Sequence, residues 1–152
     1  MKKVRPILEI ENDSNDIAFL QAAFEEAQTL NPIHVVRDGQ EAIDYLAHLS
    51  QCTDRNRYPL PGLILLDLTL PSKSGLEVLQ WLRQQSGLPL LPVIVLSASL
   101  QESDVLRCYQ LGANSFVAKP VSMAERARLA RAIKEFWLHF HQLPPDIPGV
   151  PA

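Results

Sequence analysis

The sequence predicts a doubly wound α/β domain, a five-stranded parallel sheet with helices on both faces. Short apolar runs of strand length recur five times along the 152 residues, and stretches with helical spacing of apolar residues separate them. Most of the runs are continuous rather than alternating, the pattern of strands covered on both faces. A strand–helix alternation of this kind implies parallel strands joined by right-handed crossovers.

Taken in order, the first strand is expected at 7–10, and Ile17, Leu20, Phe24 and Ala27 then share one helical face, with Ser14 available as the cap. The second strand, at 33–36, leads to a helix with Ile43, Leu46 and Leu49 inward. A polar loop over 50–61 follows, with Asp54-Arg55-Asn56-Arg57 and two prolines. The third strand, at 63–66, precedes Ser74-Gly75-Leu76-Glu77, an S-x-x-E capping box that opens a helix with Leu76, Leu79 and Leu82 on one face. After the fourth strand, at 93–96, a helix carrying Val105, Leu106 and Tyr109 stops at Leu111-Gly112. The fifth strand, at 116–118, is followed by a second S-x-x-E, Ser122-Met123-Ala124-Glu125, and by a helix bearing Leu129, Ile133, Phe136, Trp137 and Phe140. Residues 1–141 are assigned to this one domain, and 142–152, with Pro144, Pro145, Pro148 and Pro151, to an extended or mobile tail.

Composition excludes several function classes. A hydrophobic fraction of 47% and a charged fraction of 20% suit one compact core. A net charge of −3 with a pI near 5.8 gives no general attraction to nucleic acid. No apolar run is long enough to cross a bilayer, and the run after Met1-Lys2-Lys3 meets Glu9 too soon to be a signal-peptide core. A cytoplasmic protein is expected. Cys52 and Cys108 lie far apart without metal-type spacing and are expected to be free thiols.

Ligands of a doubly wound sheet bind beyond the carboxyl ends of its strands. Those ends carry Glu11-Asn12-Asp13, Asp67-Leu68-Thr69, Ser97-Ala98-Ser99 and Lys119-Pro120, which gathers acids, a hydroxyl and a lysine at one edge.

The segments Ile7-Leu8-Glu9-Ile10-Glu11-Asn12-Asp13, Leu63-Ile64-Leu65-Leu66-Asp67-Leu68-Thr69-Leu70-Pro71, Val93-Ile94-Val95-Leu96-Ser97-Ala98 and Gly112-Ala113-Asn114-Ser115-Phe116-Val117-Ala118-Lys119-Pro120 occur in this order and at these strand ends. Together they resemble the response-regulator receiver family of two-component signalling, which has the flavodoxin-like, CheY-like fold, over residues 7 to about 140. The resemblance implies that Asp67 accepts a phosphoryl group from a sensor histidine kinase. It implies that Lys119 reaches the phosphoryl oxygens and pairs with Asp67 beforehand, and that Ser97 donates its hydroxyl to the phosphoryl group. Phe116 matches the family's aromatic switch position, which turns when the hydroxyl of the residue matched by Ser97 moves, with Ala98 leaving it room, and Lys119-Pro120 matches a dipeptide that is cis in the family. Mg²⁺ is the implied cofactor, held by Glu11, Asn12, Asp67 and the Thr69 backbone carbonyl, with Asp13 a further candidate. Such a protein is a phosphoacceptor rather than a conventional enzyme, and its output is a changed surface read by a protein partner.

The match departs from the family at Asn12, where a second acid usually coordinates the metal; an amide oxygen brings no charge, so weaker Mg²⁺ binding is expected. Asn12 also sustains an alternative, a pseudo-receiver interaction module with weak or no phosphorylation. A hydrolase with an aspartyl-phosphate intermediate is disfavoured, because Thr69 stands where its common signature has a second aspartate. Glu9 interrupts a strand that should be covered on both faces, where an unpaired carboxylate is costly. The 50–61 loop and Glu135-Phe136-Trp137-Leu138 resemble the small regulators that partner bacterial phytochrome kinases, and the aromatic residues of the last helix suggest a homodimer surface.

Overall fold

The computed structural model describes residues 4–51 and 54–144. Five strands, β1 (Ile7–Ile10), β2 (Ile33–Val36), β3 (Leu63–Leu66), β4 (Val93–Ser97) and β5 (Ser115–Ala118), form one parallel sheet in the order β2-β1-β3-β4-β5. Five helices alternate with them: α1 (Ser14–Glu26), α2 (Gly39–Gln51), α3 (Gly75–Arg83), α4 (Glu102–Gln110) and α5 (Met123–Ile133). The doubly wound architecture is as expected.

The sheet pleat sorts the strand residues between two cores. Leu8, Ile10, Ile64, Leu66, Val93 and Val95 face α2, α3 and α4. Ile7, Leu63, Leu65, Ile94 and Leu96 face Leu20 and Phe24 of α1 and Ala130 and Ile133 of α5. By the same alternation Glu9, Glu11 and Asp67 point toward the α1–α5 side. The strand order reverses between β1 and β3, so the crevice for a ligand opens above these two strands.

Local signals set most boundaries. Ser74 forms a complete capping box, accepting from the Glu77 amide at 3.2 Å while the Glu77 carboxylate accepts from the Ser74 amide at 2.7 Å. Ser122 accepts from the Glu125 amide at 3.1 Å, but the Glu125 carboxylate turns to Arg128 at 2.8 Å, so only half of the second box forms. Helix α4 ends as expected at Gly112, whose φ of 90° suits glycine; its amide donates to Tyr109 and that of Ala113 to Cys108, the paired bonds of a Schellman motif.

Four expectations are corrected. The cap of α1 is Asp13, not Ser14: Asp13 is extended and its Oδ1 accepts from the amides of Asn15 at 2.8 Å and Asp16 at 3.0 Å. Ser14 lies inside the helix, its Oγ taken by Arg37. In α4 the inward row is Val105 and Cys108, with Cys108 fully buried, whereas Leu106 and Tyr109 are exposed; the Tyr109 hydroxyl instead accepts from the Phe116 amide at 3.1 Å. The stretch 50–61 starts later than expected, since α2 runs to Gln51, but its residues 54–61 do form a loop, with Tyr58 packed on the core and its ring stacked on His48. The last helix changes pitch at Lys134–Phe140, where a π-type turn widens it and the His141 amide reaches back to Phe136. That change of phase carries Phe136 and Phe140 out to solvent while Trp137 and Leu138 stay on the core. Cys52 and the tail beyond Pro144 lie outside the described residues; Cys108 is a free cysteine.

Candidate functional site

Backbone hydrogen bonds continue the sheet past its strand ends and fix the site residues. The Glu11 amide donates to Val36 at 3.0 Å, the Asp67 amide to Ile10 at 3.0 Å and the Lys119 amide to Ser97 at 2.9 Å. The loop after β3 is held from the other side, where the Gly75 amide donates to the Leu68 carbonyl at 2.9 Å. Gly75 is required there by proximity: a Cβ would collide with the Asp67 carbonyl oxygen and stand 2.7 Å from the Leu68 Cα.

The Lys119 ammonium is the hub. It lies 2.7 Å from Glu11 Oε2, 2.9 Å from Asp16 Oδ2 and 3.4 Å from Asp67 Oδ1. Burial pushes this ammonium down, but its hydrogen bonds to Asp16 and Glu11 and the charge of Asp67 outweigh that and hold it above the ordinary lysine range. Burial pushes the Glu11 carboxyl up, and Lys119 opposes it. Glu11 is steadied further as its Oε1 accepts from the amides of Asn12 and Asp13, both at 3.1 Å.

Asp16 and Arg126 were not legible as site residues in the sequence. Arg126, at the start of α5, lies 3.7 Å from Asp16, donates to the Pro120 carbonyl at 2.9 Å and stacks over the Phe19 ring at 4.4 Å. With Glu9, these residues line a cavity of about 40 Å³ between the sheet, α1 and α5, walled by Leu20, Leu65 and Leu129. Glu9 is 2% exposed, one pleat below Glu11 on the same face, and its Oε2 has no hydrogen-bond partner among the described residues. Burial first, then the charge of Glu11, push its carboxyl up to about 8 against the opposing pull of Lys119.

The remaining expected residues lie on the same strands or in the loops that follow them. Ser97 is buried at the end of β4 and its Oγ accepts from the Ser99 amide at 3.1 Å. Phe116 is half-buried against the α2–α3 core. Asn12 and Thr69 are exposed, and Asp13 is engaged as the α1 cap. The expected cis bond is corrected: no cis peptide occurs among the described residues, so Lys119–Pro120 is trans, the lower-energy isomer, with the Pro120 carbonyl held by Arg126.

No group of three or more His, Cys, Asp or Glu side chains among the described residues is disposed as a metal cage. The carboxylates of Glu11 and Asp67, both within 3.4 Å of the Lys119 ammonium, are donors of the type that suits Mg²⁺, a hard cation that takes one or two carboxylates and keeps several waters.

Residues 7–134 match the response regulator receiver domain model. The chain belongs to the response-regulator receiver family. Among relatives, this receiver is 36% identical to the probable methanogenesis regulatory protein FilR2 of Methanothrix harundinacea, over 91% of this chain and 86% of that one. It is 34% identical to the response regulator Rcp1 of Synechocystis, over 91% of this chain and 92% of the relative. The crystal structure of the phosphorylated cyanobacterial phytochrome response regulator RcpA superposes with a TM-score of 0.83 at 34% identity, covering 93% of this chain and 99% of that one. The Mn(2+)-bound form of response regulator Rcp1 superposes with a TM-score of 0.81 at 32% identity, covering 92% and 99%. No helix of the described residues is long and apolar enough to cross a membrane.

Proposed function

We propose that this receiver is a phosphorylation switch in which Asp67 takes a phosphoryl group from the phosphohistidine of a sensor histidine kinase and passes the signal to a protein partner. The observation that carries the reading is the single ammonium of Lys119 held among Glu11, Asp16 and Asp67 at the carboxyl edge of the sheet. In the transfer, an Asp67 carboxylate oxygen attacks phosphorus, the phosphorus–nitrogen bond breaks, and the imidazole keeps the electron pair and takes up a proton. Lys119 then meets the phosphoryl oxygens, offsetting the roughly −1.5 to −2 charge that phosphorylation adds. Ser97 donates its hydroxyl to the same oxygens, and Phe116 turns inward behind it.

Glu11, Asn12, Asp67 and the Thr69 carbonyl would hold Mg²⁺, whose charge offsets the oxygens crowding around phosphorus. Asp13 is a poorer candidate, because its carboxylate already caps α1. Charge-assisted hydrogen bonds contribute roughly 1.5–3 kcal/mol each, so two or three made only in the phosphorylated state reach the ~5.5 kcal/mol needed to reverse a 1:99 equilibrium.

The similarity to the cyanobacterial phytochrome response regulator RcpA supports a bacterial phytochrome as the kinase, and in this reading the protein acts in the cytoplasm. Residues 1–141 form the receiver, followed by a Pro-rich tail at 142–152, and the exposed Phe136 and Phe140 form a homodimer surface. Incubation with acetyl phosphate and Mg²⁺ followed by intact-mass measurement tests the reading. One phosphoryl adduct, absent from Asp67→Asn, is expected; an unmodified wild type favours the pseudo-receiver alternative that Asn12 supports.

A further inference from the structure

We propose that Asp16 is a positioning residue that competes with Asp67 for the Lys119 ammonium, restraining it in the resting site and handing it over when Asp67 is phosphorylated, while Arg126 takes up the released Asp16 carboxylate. The inference rests on the phosphoryl-acceptor reading of Asp67 and adds a counter-ion exchange to it.

The distances set the order of preference. An ammonium has three protons to donate, and charge-assisted N–H···O bonds run at about 2.7–2.9 Å. Lys119 spends two such contacts on Glu11, at 2.7 Å, and Asp16, at 2.9 Å, and reaches Asp67 only at 3.4 Å. The resting lysine is therefore hydrogen-bonded away from the residue it must serve.

Of the two short contacts, that to Asp16 is the one built to release. Glu11 is buried, its second oxygen is fixed by two backbone amides, and among the described residues Lys119 is the side-chain cation paired with it. Asp16 sits on the first turn of α1 with its side chain 28% exposed, and a second cation waits 3.7 Å from its other oxygen. Arg126 is anchored for that role by the Pro120 carbonyl and the Phe19 ring. Transfer of Lys119 to a phosphoryl group would leave Asp16 short of one cation, and a small motion closes its pair with Arg126. The exchange ties α1 to the start of α5, so the state of Asp67 is felt at both helices.

Two measurements test this, the first independent of phosphorylation. In the resting protein the Lys119 ammonium signal is followed by NMR in ¹⁵N-lysine-labelled protein. Asp16→Asn is expected to shift it or broaden it away, Asp16→Glu to restore it, and Asp67→Asn to perturb it least. A signal moved by Asp67→Asn and indifferent to Asp16→Asn overturns the proposal. The second is the rate of adduct formation with acetyl phosphate and Mg²⁺. Asp16→Asn is expected to raise it roughly five-fold, the scale of one partly exposed ion pair.

Arg126→Gln is expected to slow uptake in the wild-type background and to have no effect in Asp16→Asn, because Arg126 acts through Asp16. Equal slowing in both backgrounds marks simple through-space attraction of the anion and overturns the exchange. A wild type that takes up no phosphoryl group while the NMR result holds removes the phosphoryl-acceptor reading and the handover with it, leaving Asp16 as the resting anchor of Lys119. Two failed measurements remove both.

Discussion

Replacing Glu9 by glutamine should make the protein's stability less dependent on pH, and the size of the effect follows from where the side chain lies. The Glu9 carboxyl is 2% exposed, carries an oxygen without a hydrogen-bond partner among the described residues and has its pKa pushed from 4.5 to about 8. Below pH 4.5 the group is protonated in both folded and unfolded chains and contributes no difference. Between 4.5 and 8 the unfolded chain releases this proton while the folded one keeps it, so stability falls by about 1.4 kcal/mol per pH unit. Above 8 the loss levels off. Glutamine keeps the shape and cannot ionise; whatever constant cost its amide brings, the slope disappears. Urea unfolding at pH 5 and pH 8, in EDTA to exclude metal effects, should show the wild type losing about 3–4 kcal/mol more than Glu9→Gln over this interval. At ordinary urea sensitivities that is a relative midpoint shift of more than about 1 M. Parallel pH profiles for the two proteins would refute the reasoning and show that Glu9 is solvated or paired.

Other substitutions probe separate parts of the account. Asn12→Asp should tighten Mg²⁺ by about tenfold, the scale of one added ligand charge worth ~1.4 kcal/mol, as read by titration calorimetry; equal affinities would remove Asn12 as the weak point of the site. Gly75→Ala should destabilise by about 1–3 kcal/mol, the range for overpacking, and slow phosphoryl uptake at Asp67, because the added methyl meets the Asp67–Leu68 backbone. Urea unfolding together with acetyl phosphate kinetics checks both effects. Phe136→Ser with Phe140→Ser should abolish self-association in sedimentation velocity while leaving the unfolding free energy of the monomer unchanged within about 0.5 kcal/mol, as for exposed positions.

The sequence made the sheet, its strand ends and the acid–lysine edge legible because each rests on local pattern: continuous apolar runs, cap residues and a glycine stop. What it left hidden depends on tertiary register. Asp16 reads as one more polar residue in the first turn of a helix, and only the packing of α1 against the start of α5 brings it to Lys119 and Arg126. The exposure of Phe136 and Phe140 could not follow from a 3.6-residue period, since it arises from a local change of helical pitch. In α4, Leu106 and Tyr109 are the more apolar-looking choices, yet the smaller Cys108 faces the core. Glu9 stood out as an anomaly in the sequence; the pleat explains it by placing it beneath Glu11, at the floor of the acidic cavity.

The most direct test of the central claim is to locate the phosphoryl group itself. Treatment with acetyl phosphate and Mg²⁺, followed by borohydride, reduces an aspartyl phosphate to homoserine, which peptide mass spectrometry places in the sequence. Homoserine at position 67 and at no other aspartate is the predicted result. Modification at Asp13 or Asp16, or none where unmodified protein is shown to be folded, would contradict it.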